Sequence, residues 1–110
     1  MKIEKVDAEL LKLPLPRPMQ SGSSSGKKGG PVTDIYMGMA KITTESGITG
    51  IGYGWTLLGG ARAIKSFIEH DFAPLLIGEN ALDNERLWTK LNRRLQTVGR
   101  AGAAMEAQAA

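Results

Sequence analysis

The sequence contains no cysteine and only one histidine, His70, among its 110 residues. The absence of cysteine excludes disulfide bonds, thiolate metal sites and cysteine nucleophiles. A Ser-His-Asp triad would have to use His70, which lies between Glu69 and Asp71 in a stretch of helical periodicity. We therefore interpret His70 as an ordinary surface residue and expect neither a catalytic nor a metal-ligating group in this chain.

The sequence also lacks long apolar segments and a large excess of charge of one sign. No segment approaches the roughly 18 consecutive apolar residues of a membrane span, and no apolar run with a cleavage site lies near the start. Fourteen Lys and Arg against 11 Asp and Glu give a net charge of +3, which argues against a dedicated nucleic-acid binder. We expect one soluble, cytoplasmic domain, with no nucleic acid and no membrane as partner.

Three segments have the patterns of β-strands. Residues 2–13 carry apolar side chains among charged ones, and prolines at 14, 16 and 18 exclude a helix there, so we predict a strand, with an irregularity, ending in an extended run. Residues 32–44 alternate between apolar and other side chains. The turn at Glu45–Gly47 and a return strand at 48–56 complete a predicted three-stranded antiparallel meander.

The periodicity becomes helical after Gly59 and Gly60. Apolar residues fall on one helical face, and Pro74 within the run predicts an end or a kink near Phe72. The apolar face consists of Ile64, Phe67, Ile68, Phe72, Leu75 and Leu76. Gly78 is predicted to close this helix.

A second helix is predicted to begin at an N-cap, Asn80, and to end at Gly99. Its apolar stripe consists of Leu87, Trp88, Leu91 and Leu95. The final residues, 100–110, have helical composition without a C-terminal signal, so we expect the chain to be a fragment of a longer protein. Strands followed by helices define an α+β fold class.

Residues 21–30 read SGSSSGKKGG and contain no apolar side chain. The stretch is one residue short of a Walker loop, Lys28 stands where a hydroxyl would hold the metal, and a strand follows instead of a helix. We exclude a nucleotide site and predict a mobile loop. At the other predicted strand end, Tyr53 and Trp55 suit either the wall of a pocket or a local core.

The order of these elements resembles the N-terminal capping domain of the enolase superfamily, in the mandelate racemase and muconate lactonizing enzyme branch. The resemblance is carried by LPLPRP (13–18), ESGITGIGYG (45–54), FAPLLIGENALDNERLW (72–88) and GRAGAAMEAQAA (99–110). One departure is Tyr53, where many members carry an acidic residue. The resemblance implies a single capping domain at 1–110, with a meander at 1–57, a mobile loop at 17–31, a helical bundle at 58–98 and the start of a barrel-bound helix at 100–110.

In the family that the chain resembles, a modified TIM barrel carries the chemistry. Three barrel carboxylates hold Mg²⁺, and a barrel Lys or His removes the proton α to a substrate carboxylate. The resemblance therefore implies that this chain has no catalytic residue and no metal ligand, and that Mg²⁺ belongs to the barrel. It implies three partners: a small-molecule carboxylate, the protein's own C-terminal TIM barrel, and further copies in a homo-oligomer.

The resemblance also implies that two cap loops close on the substrate and exclude water. The first loop supplies the candidate contacts Arg17, Gln20, Ser21, Lys27 and Lys28, and the second supplies Tyr53, Trp55, Thr56 and Leu57. Lysines and hydroxyls suit a polyhydroxylated acid better than an aryl acid. We expect the specificity cap of an acid-sugar dehydratase or a racemase. Two alternatives are a stand-alone binding or assembly module that lacks the barrel, and a basic anion-binding protein built around the lysine loop.

Overall fold

The structure is a computed structural model that describes residues 1–19, 31–56, 59–94 and 107–108. Its strands are β1 (Ile3–Met19), β2 (Val32–Thr44) and β3 (Thr49–Thr56). Its helices are α1 (Ala61–Ser66), α2 (Ala73–Leu76) and α3 (Asn84–Arg94), with a π-helical segment, Phe67–Phe72, between α1 and α2. Residues 107 and 108 are also helical.

The three strands form one antiparallel sheet in the order β1-β2-β3, which confirms the predicted meander and α+β class. Strand β1 is longer than predicted, because it continues through the three prolines to Met19. Prolines are tolerated there because β1 is an edge strand, whose outward N–H groups need no partner in the sheet. Arg17 consequently lies in β1 and not in a loop. The predicted irregularity is a register shift between Ile3 and Lys5.

The sheet has one face covered by helices and one face turned away from them. Gly38 and Ala40 are buried. If Gly38 carried a Cβ atom, that atom would lie 2.5 Å from Cγ2 of Ile64. Because side chains alternate along a strand, the even-numbered residues of β2 face the helices. Residues paired across an antiparallel ladder share a face, so the even-numbered residues of β3 face the helices too.

The first helical run is continuous from Ala61 to Leu76, so of the two predicted outcomes, an end or a kink near Phe72, the helix does not end there. It instead changes from π-helical to α-helical geometry after Phe72. Its buried residues, Ile64, Ile68, Phe72 and Leu76, are spaced four apart. An α-helix rotates such a series by about 40° at each step, whereas the wider turn of a π-helix counters that drift. The π-helical segment therefore keeps all four side chains towards the core. The helix passes Pro74 and ends at Leu76, two residues before Gly78, whose φ is +91°.

The predicted N-cap Asn80 is also wrong. Helix α3 begins one turn later, and its first helical hydrogen bond runs from the Leu87 N–H to the Asp83 carbonyl at 2.9 Å. Asn80 instead accepts hydrogen bonds on Oδ1 from the Leu82 N–H at 3.1 Å and from the Met1 ammonium at 3.3 Å. Its side chain therefore shapes the turn before α3 and fastens the start of the chain to that turn.

Backbone hydrogen bonds extend this attachment. The Ile3 N–H donates to the Glu79 carbonyl at 2.8 Å, the Gly78 N–H donates to the Ile3 carbonyl at 2.8 Å, and the Ala81 N–H donates to the Met1 carbonyl at 2.7 Å. We call residues 1–3 and 78–81 the terminal clasp. It joins the beginning of β1 to the connection between α2 and α3.

The core is formed where the helices cover the sheet. Leu87 and Leu91 from the predicted stripe of α3 are buried in it, whereas Trp88 is 46% exposed, and Leu95 and Gly99 lie outside the described residues. The core consists of Ile3, Ala40, Ile64, Ile68, Phe72, Leu76, Leu87, Leu91 and Ala107. Within the described ranges, no helix is long and apolar enough to cross a membrane.

An ionic cluster fastens α3 to the preceding turn. Glu79 forms ion pairs with Arg86 and Lys90, and Lys90 Nζ also donates to the Leu75 carbonyl at 2.8 Å. The hydrogen bond from Arg86, aided by one from Lys90, lowers the pKa of the Glu79 carboxyl and is offset in part by desolvation. The same contact raises the pKa of Arg86.

Replacing Gly38 by alanine tests the close packing of sheet and helix. Gly38→Ala is expected to lower the free energy of unfolding by about 1–3 kcal/mol, because the new methyl group overlaps Ile64. Gly50→Ala is the matched control, since no atom lies within 4 Å of its Cβ position. Urea unfolding of both variants measures the difference, and equal losses of stability would contradict this packing.

The pH dependence of Glu79→Gln tests the ionic cluster. Because the folded pKa of Glu79 is lowered, its stabilisation is fully present above the unfolded pKa, about 4.3, and is lost as the pH falls through the folded pKa. The variant is therefore expected to be less stable than the parent at neutral pH, with the difference narrowing in acid. Glu45→Gln is the control, since the carboxylate of Glu45 has no ion pair within the described ranges. A difference in unfolding free energy that is the same at pH 7 and pH 3 would exclude this role.

Candidate functional site

The antiparallel order brings the strand ends next to the two predicted loops to one end of the sheet. Met19 ends β1, opposite Val32 at the start of β2, and Thr56 ends β3, opposite Tyr36. We call this the loop end of the sheet. The described strand ends that flank the two predicted loops therefore lie at the same end of the sheet.

The first hairpin extends further than β3. Val32 lies four residues before Tyr36 along β2, which corresponds to about 13 Å at the rise of a strand. Arg17 lies on this extension and is exposed. The other candidates of the first loop, Gln20, Ser21, Lys27 and Lys28, lie outside the described residues.

The candidates of the second loop are divided between the two faces of β3. Tyr53 and Trp55 stand on the face away from the helices, where they are 59% and 53% exposed. Thr56 stands on the helix-facing side and is half-buried. The structure thus brings Tyr53 and Trp55 together and separates Thr56 from them, and Leu57 lies outside the described residues.

Thr56 borders the turn into α1. Its Cγ2 lies 3.9 Å from the Cβ position of Gly60, and its buried Oγ1 has no hydrogen-bond partner in the part of the chain that the structure describes. Gly60 has a φ of +92°, a conformation that L side chains rarely adopt. The glycine therefore allows the chain to turn directly from the loop end into α1.

The neighbours of the two exposed aromatics were not identified as site residues from the sequence. Across the sheet, Met39 and Glu9 lie level with Tyr53, and Met37 lies level with Trp55. The alternating pattern placed Met37 and Met39 in a strand, but only the register shows that they share a face with the aromatics. An apolar surface therefore adjoins Tyr53 and Trp55 on the face turned away from the helices.

Three polar side chains, those of Lys12, Thr33 and Asp34, interact near the loop end. Asp34 accepts a hydrogen bond on Oδ2 from the Thr33 hydroxyl at 2.9 Å, and Lys12 Nζ lies 4.0 Å from the same oxygen. Asp34 is therefore already paired on the sheet. In the described ranges, no three His, Cys, Asp or Glu side chains lie close enough to hold a metal ion together. The acidic and histidine side chains of the described ranges consequently do not fit a Mg²⁺ site.

Two concavities on the described part of the domain lie away from the loop end. One, of about 460 Å³, lies among core residues between the sheet and α3 and is lined in part by Ile42, Phe72 and Trp88. The other, of about 700 Å³, is a shallow surface depression lined by Leu75, Arg86, Thr89, Lys90, Arg93 and Arg94. Neither is lined by a candidate substrate contact.

Comparison of this chain with known proteins identifies the family to which it belongs. Residues 29–110 match the family described as mandelate racemase / muconate lactonizing enzyme, N-terminal domain. The chain belongs to this family, and its homologues include enolase-superfamily cycloisomerases, acid-sugar dehydratases and racemases.

Three relatives illustrate the likeness. The chain is 30% identical over 105 residues to 3,6-anhydro-alpha-L-galactonate cycloisomerase of Streptomyces coelicolor, covering 96% of this chain and 28% of that protein. It is 30% identical to a racemase from Streptomyces coelicolor A3(2) solved with bound magnesium, with a TM-score of 0.83 over 96% of this chain and 28% of that one. It is 29% identical to L-talarate/galactarate dehydratase from Salmonella typhimurium LT2, solved with Mg and L-lyxarohydroxamate, with a TM-score of 0.81 over 96% of this chain and 27% of that one.

The chain thus spans just over a quarter of the length of these relatives. The three matches each cover nearly the whole of this chain. The likeness therefore assigns the chain to the N-terminal domain of the family.

Truncation of Trp55 tests whether the exposed aromatics are needed for folding. Trp55→Ala is expected to lower the free energy of unfolding by less than about 1 kcal/mol, because half of the side chain is already exposed. Phe72→Ala is the comparison, with an expected loss of about 3–5 kcal/mol, since Phe72 is 2% exposed. Chemical unfolding of the two variants gives both values. A loss at Trp55 as large as that at Phe72 would show that Trp55 belongs to the core.

Proposed function

We propose that this chain is the substrate-specificity cap of a Mg²⁺-dependent enolase-superfamily enzyme that removes the proton α to a carboxylate. The proposed whole protein is an acid-sugar dehydratase or a mandelate racemase-like enzyme, with the catalytic groups and the metal in its own TIM barrel. One observation carries the proposal: the strand ends that flank the two segments assigned by the family resemblance to substrate closure lie at the same end of the sheet. The magnesium-bound racemase and the talarate/galactarate dehydratase, which share this fold, support it.

In this proposal the cap binds, covers and selects, and it holds no metal. Arg17, Gln20, Ser21, Lys27 and Lys28 offer positive charge, amide and hydroxyl groups to a polyhydroxylated anion. Trp55 and Thr56 lie at the loop end of β3. Together with Leu57, the next residue in the sequence, they would limit access of water. Tyr53 lies two residues further from the loop end than Trp55, so we leave it out of this substrate-facing set.

The positions of the two connections give the cap its proposed means of discrimination. The first hairpin reaches about 13 Å beyond the end of β3, so the two connections would contact different parts of one ligand. A charged, hydroxyl-rich segment on one side and an aromatic side chain on the other suit a small carboxylic acid with a hydroxylated chain. The substrate class is inferred from this chemistry together with the dehydratase likeness.

The size of the gene product tests the first part of the proposal. A cap joined to a TIM barrel should give a protein of about 350 to 400 residues, because such barrels have about 250 residues. Immunodetection with an antibody against this chain measures that size in the source cells. A product of about the length of this chain would support the stand-alone module instead.

Activity assays test the second part. With Mg²⁺, the full-length product is expected to turn over a hydroxylated sugar acid, and the 110-residue chain alone is expected to turn over none. Lys27→Ala combined with Lys28→Ala should lower kcat/KM for a sugar acid at least about tenfold, the contribution of one charged hydrogen bond. Lys41→Ala is the control, because Lys41 is exposed near the end of β2 that lies opposite the loop end. Turnover by the chain alone would overturn the division of roles between cap and barrel.

A further inference from the structure

Strand β1 does not follow β2 regularly at the loop end of the sheet. Between the paired positions Pro14–Asp34 and Met19–Val32, β1 has four residues and β2 has only one. Two steps along a strand span about 7 Å, whereas the five steps from Pro14 to Met19 would span about 17 Å if extended. Residues 15–18, LPRP, must therefore bow out of the ladder as a bulge. We call them the proline bulge.

Two prolines make the proline bulge stiff. Pro16 and Pro18 each have a φ fixed near −65°, and each restricts the residue before it to extended conformations. Arg17 lies between them, so the backbone on both sides of Arg17 is restricted. The main chain at Arg17 consequently has little conformational freedom to lose when a ligand binds to its side chain.

The proline bulge carries one charge. Arg17 is the only charged residue between Lys12 and Met19, and it is exposed. The charge of Lys12 is offset in part by Asp34, whose Oδ2 lies 4.0 Å from Lys12 Nζ. Arg17 forms no ion pair within the described ranges. The bulge therefore presents a guanidinium group whose charge is not offset by the described part of the sheet.

A guanidinium group on a stiff projection suits a carboxylate better than a hydroxyl group. Its N–H donors form a planar fork that can bind both oxygens of a carboxylate at once. Lys27 and Lys28, by contrast, carry single point charges on flexible stems. They belong to a stretch, 21–30, with four glycines and no proline. Arg17 is thus the cation of the first predicted loop region that is best suited to recognise a carboxylate at a fixed position.

The proposed function indicates which carboxylate Arg17 would bind. The carboxylate next to the abstracted proton belongs to the barrel, and the cap contacts the rest of the substrate. A cation in the cap is favourable only when that remaining part carries negative charge. An acid sugar with a carboxylate at each end has such a charge, whereas an acid sugar that ends in a hydroxymethyl group has none.

We propose that Arg17 is a specificity-determining residue of the whole enzyme, whose guanidinium group binds the second carboxylate of a dicarboxylic acid sugar. Arg17 thereby selects the diacid over the corresponding monocarboxylic acid. This inference rests on the proposed function, which supplies the barrel and the reacting carboxylate, and it narrows the substrate class. Arg17 acts in binding and takes no part in proton transfer.

Pairs of substrates that differ only at the far end test the proposal. Each six-carbon aldaric acid has a matching aldonic acid, in which a hydroxymethyl group replaces the second carboxylate. The probes are the pairs glucarate and gluconate, galactarate and galactonate, and mannarate and mannonate. With Mg²⁺, the full-length gene product is expected to have a higher kcat/KM for the diacid of the pair that it turns over fastest. Arg17→Ala should lower the ratio of kcat/KM for diacid to kcat/KM for monoacid at least about tenfold, because a charged hydrogen bond is lost.

Two further variants separate the contact from a general effect of charge. Lys5→Ala is the matched control, since it removes an exposed positive charge from the other end of the same strand, and it should leave the ratio unchanged. Arg17→Lys keeps the charge without the fork, so it should retain only part of the ratio. A parent that prefers the monoacid, or equal effects of Arg17→Ala and Lys5→Ala on the ratio, would overturn the proposal. The full parental ratio in Arg17→Lys would overturn the bidentate contact.

Replacement of both prolines tests the stiffness of the bulge while the guanidinium group remains. Pro16→Ala combined with Pro18→Ala should raise KM for the diacid by about twofold to fivefold per proline and leave kcat unchanged, because only the cost of ordering the bulge increases. Circular dichroism checks that the variant is folded. An equal rise of KM for diacid and monoacid would show that the prolines act on the whole structure and would contradict their role in holding Arg17.

The same assays distinguish failure of this inference from failure of the proposed function. A full-length protein that turns over no sugar acid would refute the proposed function, and the role of Arg17 with it. A protein that turns over monoacids as well as diacids would leave the proposed function intact and refute the role of Arg17 alone.

Discussion

The contact between Gly38 and Ile64 is the constraint on which the arrangement of the domain depends. A Cβ at Gly38 would lie 2.5 Å from Ile64 Cγ2, so the first helical run lies as close to β2 as a strand allows. This approach brings Ile64, Ile68 and Phe72 against the sheet, and the π-helical segment keeps the buried series in line beyond that point. The position of the helix over β2 in turn fixes where the chain enters α1.

The candidate site follows from the same contact. Helix α1 starts directly after Gly60, so the connection from β3 must return to the sheet within a few residues of Thr56. The end of β3 therefore lies at the loop end, as do the end of β1 and the start of β2. The helices cover one face only, and Tyr53 and Trp55 remain exposed on the other. Burial of the core and exposure of the aromatics are thus two results of one packing geometry.

Much of the fold could be predicted from the sequence because the signals were local. The alternation in 32–44 and the glycine at 47 determine a hairpin by themselves, and β2 has the predicted bounds. The π-helical segment could not be predicted, because it depends on packing against the sheet rather than on Pro74 alone. Asn80 was wrongly predicted as the N-cap of α3, because its side chain bonds within the preceding turn and to Met1, which is far away in the sequence. Alternation along a strand places Tyr53 and Thr56 on opposite faces, but which of the two faces the helices cover depends on tertiary packing, which the pattern of glycines and aromatics does not specify.

The terminal clasp has a consequence for the order in which the domain forms. Met1 and Asn80, whose groups bond to each other, are separated by 79 positions in the sequence. During synthesis the meander of β1, β2 and β3 can form early from neighbouring segments, but the first residues of β1 have no complete set of partners until residues 78–81 have been made. Contacts of such long sequence separation are slow to form and are made late. The beginning of the chain is therefore among the last parts of the domain to become ordered, although it ends as a fixed part of the core.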